Sequence, residues 1–149
     1  MKRIMLAAVA LLLCSGLAIA GGGLDGFLNS LNIQARADMN GFSAGLSAQF
    51  GIPEVQVRTV IGSVREPSDA FMCLQLGQWT HQPPEQVVSV YKANQGKGWG
   101  VIAKSMGIKP GSAEFHALKR GDLTYTGQPA GRQDAKPGKG KGKGKGHNK

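Results

Sequence analysis

Apolar residues in the stretch that starts near Leu24 fall at helical spacing, and Gly and Pro interrupt them at short intervals. Leu24, Leu28 and Leu31 recur three and four residues apart, and Met39, Phe42 and Leu46 do so again. Side chains spaced in this way share one face of an α-helix. Gly51 stops the second of these runs, and Pro53 stands where a proline opens the next helix. Within that helix Val57, Val60, Ile61 and Val64 occupy i, i+3, i+4 and i+7. Pro67-Ser68-Asp69 supplies another stop and a new N-cap. Ala70 to Leu76 is almost continuously apolar, a pattern shared by buried helices and short buried strands. Helical neighbours on both sides assign it to a helix.

Pro83-Pro84-Glu85 begins a further segment with Val87, Val90 and Tyr91 on one face, and Asn94 to Gly98 breaks it. Trp99, Ile102, Ala103 and Met106 return to helical spacing, with Gly107 suited to the position just past a helix end. Lys109-Pro110-Gly111 reads as a turn, Ser112 as an N-cap, and Ala113 to Arg120 as a last short helix ended by Gly121. No alternation of period two persists, which counts against a sheet. The expected fold is all-α: a small bundle of five or six short helices with a disordered basic C-terminal tail.

The helical domain is expected over 21–123 and the Gly/Lys-rich tail over 124–149. From Gly138 to Gly146 glycine and lysine alternate, so the segment has nothing to bury and repels itself. Charge follows the same division. The whole chain carries a formal +9, but residues 21–128 hold nine Lys or Arg against eight Asp or Glu. Residues 129–149 hold six Lys and one Arg against one Asp. Basicity therefore belongs to the tail. Lys136, Lys139, Lys141, Lys143, Lys145 and Lys149 are the candidate binding residues. The expected partner is an anionic envelope polymer, such as lipopolysaccharide or another phosphate-bearing polymer, or an acidic protein.

The envelope enters through the first 20 residues. Lys2 and Arg3 precede an apolar run from Ile4 to Leu13, which is too short to span a bilayer as a helix. Ala18-Ile19-Ala20 is the small-x-small pattern that signal peptidase reads. A signal peptide over 1–20, cleaved before Gly21, makes the expected location periplasmic or secreted, with no transmembrane segment left after cleavage. Lipidation of Cys14 is disfavoured because Leu13 stands where a small residue is needed. Cleavage leaves Cys73 as the one cysteine of the mature chain, and its neighbours Phe71, Met72, Leu74 and Leu76 favour burial.

Three motif resemblances carry little chemistry. Gly96-Lys97-Gly98-Trp99-Gly100 is glycine-rich, but a phosphate loop needs Gly directly before its Lys-Ser pair, and Ala103 stands there before Lys104-Ser105. It also needs a preceding strand where a helix is expected. Ile102 to Ile108 has the shape of the first helix and turn of a helix-turn-helix, yet His116 falls where a buried aliphatic belongs, which argues against DNA regulation. His81, His116 and His147 are the only histidines, and no zinc-type spacing joins them to Cys73, so no metal or cofactor is expected. The carboxylates Asp69, Glu85, Glu114 and Asp122 sit at expected helix ends, where capping and the helix dipole place them. The composite expectation is an exported non-enzymatic helical module whose cationic tail binds an anionic envelope partner. The alternative is an envelope enzyme using Cys73, paired with a histidine, in a helical cleft.

Residues 98–104, Gly-Trp-Gly-Val-Ile-Ala-Lys, precede Gly-Ile-Lys-Pro-Gly-Ser at 107–112. This segment resembles small exported bacterial proteins of unassigned function in which a Gly-Trp-Gly-x-Ile-Ala-Lys helix leads into the same turn. The resemblance is confined to 91–119. It implies a bacterial periplasmic setting and brings no catalytic residues with it.

Overall fold

A computed structural model describes residues 23–127. Among them are seven helices and no strand: α1 (Leu24–Ala37), α2 (Met39–Phe50), α3 (Glu54–Ser63), α4 (Pro67–Thr80), α5 (Pro84–Ala93), α6 (Trp99–Ser105) and α7 (Ala113–Arg120). The all-α class agrees with the periodicity, but the helix count exceeds the five or six expected. The apolar runs do not merge across their breaks. Even α1 and α2, separated by Asp38 alone, stay distinct, because the Asp38 carboxylate accepts the Gly41 N–H at 2.8 Å and starts a new helix.

The helix at the centre of the fold is α4. Every residue from Ala70 to Gly77 is buried, and the helix packs against α1, α2, α3 and α5. A helix covered on all sides needs no polar face, which is why Ala70 to Leu76 has no readable period. Its start lies earlier than the sequence suggested. Glu66 is the N-cap and Pro67 the first helical residue, while Asp69 reaches back from the third position to accept the Glu66 N–H at 3.2 Å.

The outer helices present their apolar stripes to this core. Leu31 and Ala35 of α1, Phe42 and Leu46 of α2, Val57 and Val60 of α3, and Val87, Val88 and Tyr91 of α5 are all buried. Met39, expected on the inner face of α2, is exposed. Around Phe71 the rings of Phe27, Phe50 and Tyr125 meet edge-on, with centroids 5.2, 5.7 and 6.3 Å away. Such edge-to-face pairs favour the aromatic quadrupoles as well as burial.

Four helices end alike. In α2, α4, α6 and α7 an N–H reaches back five residues: Ile52 to Ser47, Gln82 to Gly77, Ile108 to Ala103 and Asp122 to Ala117, at 2.9–3.3 Å. This pattern closes a helix over a left-handed residue. At the end of α6 that residue is Gly107, with φ of 91°. At the end of α4 it is His81, the one non-glycine at positive φ among the described residues.

The body extends past the expected boundary at Leu123. Gln49 Nε2 donates to the Thr124 carbonyl at 2.8 Å, and Gln49 Oε1 accepts the Thr126 N–H at 2.9 Å. Tyr125 donates to the Phe42 carbonyl at 3.2 Å. Gly127 is buried against Gly45 of α2, and a Cβ on either would collide with the other's backbone. Residues 124–127, assigned to the tail by the loss of apolar periodicity, are thus a strap along α2. A strap held by one aromatic ring and backbone hydrogen bonds has no period to detect.

Candidate functional site

The lysines singled out for anion binding, Lys136, Lys139, Lys141, Lys143, Lys145 and Lys149, lie outside the described residues, as do the signal-like segment 1–20 and His147. The described chain leads toward that tail from Gly127, fixed on α2 by the strap.

Cys73 and His81, the pair weighed for nucleophilic chemistry, do share a cavity. It measures about 520 Å³ and is walled also by Phe50, Ile52 and Leu74. The thiol itself is 0 % exposed. Burial, reinforced by the charge of Asp69, pushes its pKa up to about 12. A thiol held there stays protonated at neutral pH, whereas the nucleophile and the metal ligand are both the thiolate. The described hydrogen bonds include none between Cys73 and His81, and the His81 side chain is exposed at the end of α4. His116 is exposed on α7 and does not line the cavity that holds Cys73. No three His, Cys, Asp or Glu among the described residues converge on a point that could hold a metal.

Another cleft surrounds Trp99. Trp99 packs on the α5 face: its ring stacks on Tyr91, with centroids 5.5 Å apart and planes 24° from parallel. Beneath it Ile102 and Ala103 are buried, while Trp99 itself is only half-buried. Tyr91 donates its hydroxyl proton to Asp69 Oδ2 at 2.7 Å and accepts the Arg65 N–H at 3.3 Å. Desolvation, then the bond to Asp69, raises the Tyr91 pKa, so the phenol keeps its proton. Arg65, Glu66, Gln95 and Trp99 complete the walls of a cavity of about 360 Å³.

The polar groups at the floor of this cleft are already engaged with one another. Asp69 serves the Glu66 N–H and the Tyr91 hydroxyl, and Glu66 pairs with Arg36 at 3.2 Å across the surface. The cleft can hold a ligand against Trp99, Arg65 and Gln95, but its carboxylates are structural. Sequence reading placed Asp69 at a helix start and Tyr91 on a core face. Nothing in the spacing of residues 22 apart signals that they meet.

No helix among the described residues is long and apolar enough to cross a membrane. Comparison with protein-family models, with curated proteins and with solved structures finds no match to this chain.

Proposed function

We propose that the protein is an exported, non-enzymatic helical module that binds an anionic envelope polymer or an acidic protein through its cationic C-terminal segment. The single observation that carries this reading is the separation of charge. Nine Lys or Arg nearly balance eight Asp or Glu over 21–128, whereas 129–149 sets seven basic residues against one acidic. Lys136, Lys139, Lys141, Lys143, Lys145 and Lys149 are spaced by glycine or other small and polar residues, so they can follow an irregular line of phosphates or carboxylates without selecting one by shape. Export rests on the positively charged start, the apolar run and Ala18-Ile19-Ala20. The strap supports the arrangement, because it ties the base of the cationic segment to α2 through Gln49 and Tyr125.

A second reading, an envelope enzyme using Cys73, draws on the cavity that Cys73 shares with His81. The burial and raised pKa of the thiol weigh against it.

The test compares the full chain with one lacking 129–149 for binding to lipopolysaccharide at low and moderate salt. Loss of binding with an unchanged circular dichroism spectrum is expected. Equal binding with and without the segment would end the proposal.

A further inference from the structure

Trp99 borders a second cavity, between α6 and α7, of about 400 Å³. Three lysines reach its walls from three places: Lys97 from the loop before α6, Lys104 from the last turn of α6, and Lys119 from the last turn of α7. All three are exposed, and no Asp or Glu lines the cavity. The two side-chain ion pairs among the described residues, Arg36–Glu66 and Arg58–Glu54, involve none of them. The half-buried rings of Trp99 and Phe115 provide the apolar wall, and Gly98 and Gly100 contribute no side chain that would fill the space.

A body close to neutral overall thus gathers three unopposed ammonium groups around one small cavity. Ammonium groups are compact point charges with three rotatable donors, and lysine binds phosphate in that way, as a charge that approaches its oxygens from any side. A dianion also gains more than a monoanion from three surrounding cations. The volume is that of a small-molecule site, room for one unit of a polymer and not for a folded partner. Aromatic rings give such a unit an apolar face to lie against.

We propose that the cavity bounded by Lys97, Lys104, Lys119, Trp99 and Phe115 binds a sugar phosphate unit. The lysines hold the phosphate, and the less polar face of the sugar lies on the rings. The site sharpens the reading of an anionic envelope polymer, on which it rests for its context, but it works without the tail.

The test titrates the isotope-labelled full chain with glucose 1-phosphate, inorganic phosphate and glucose, and follows the amide signals of Gly98 and Gly100 and the Trp99 indole signal. Glucose 1-phosphate should move these signals and bind more tightly than inorganic phosphate, and glucose should not move them. The combined variant K97Q/K104Q/K119Q should lose about tenfold or more in affinity. Because the three side chains are exposed, its circular dichroism should match that of the parent. Exchanging Lys136, Lys139, Lys141, Lys143, Lys145 and Lys149 for Gln should change this affinity by less than about twofold, as expected for separate sites. Signals that move in the tail instead, equal binding of inorganic phosphate, or an unaffected K97Q/K104Q/K119Q variant would each overturn the site. If the tail variant still loses lipopolysaccharide binding, the tail proposal stands when the cavity fails. If the cavity binds and the tail variant loses nothing, the tail proposal fails alone.

Discussion

The Tyr91 hydroxyl donates to Asp69 Oδ2 at 2.7 Å, joining the C-terminal half of α5 to the first turn of α4. The same tyrosine supports the Trp99 ring, so the cleft wall and the central helix share one anchor. Tyr91→Phe keeps the ring and removes the bond to a charged acceptor. It should lower the unfolding free energy by about 1.5–3 kcal/mol. Urea denaturation should show a lower midpoint at unchanged slope. An unchanged midpoint would mean that Asp69 is served equally well by solvent.

Gly127 lies so close to Gly45 that neither can carry a side chain without displacing the other backbone. Gly127→Ala should release the strap, at a cost of about 1–3 kcal/mol for the forced overlap. The near-ultraviolet signal of Tyr125, packed on Phe42 at 5.3 Å, should weaken with it. Full retention of stability and signal would show that the strap does not sit on α2 in solution.

Much of the fold is legible because most helices are amphipathic and punctuated. Ser112 does cap α7, its hydroxyl accepting the Phe115 N–H at 3.2 Å, and Gly51, Gly107 and Gly121 stand at the helix ends where glycine is expected. What stays hidden has no period. The buried stretch of α4 from Ala70 to Gly77 reads equally as strand, and the strap at 124–127 makes its contacts through backbone groups, two glycines and the single ring of Tyr125. The cleft is hidden for another reason. Asp69 with Tyr91, and Lys119 with the Lys97 and Lys104 pair around α6, come together through helix packing, which no local spacing records. Burial of Cys73, in contrast, follows from its apolar neighbours and is observed.

A Cys73 thiol that is buried and shifted up to about 12 should be inert in the native protein. A thiol-reactive disulfide reagent at neutral pH should react with Cys73 only as fast as the chain opens, and at once in denaturant. Fast reaction in the native state would instead favour the enzyme reading.

Alkaline pH should destabilise the fold. Cys73 moves from 9.0 to about 12 and Tyr125 from 10.0 to about 12, both chiefly through burial. Above the unfolded values the unfolded chain releases these protons while the folded chain keeps them. Their contribution is therefore fully present below about pH 9 and is lost as pH rises toward about 12. Denaturation midpoints across that window should fall, and less steeply in Tyr125→Phe. A flat or rising profile would contradict the burial of these two groups.

Binding through the lysines of the segment 129–149 is proposed to be electrostatic, so affinity should depend steeply on salt. Affinity of the full chain for polyphosphate, measured from low to moderate salt, should fall linearly on log-log axes. Each phosphate neutralised contributes about −0.7 to −0.9 to the slope, so engagement of four to six lysines gives about −3 to −5. Replacing Lys136, Lys139, Lys141, Lys143, Lys145 and Lys149 with Gln should bring the slope close to that of the body alone. A slope near zero, or one that the replacement leaves unchanged, would contradict the account.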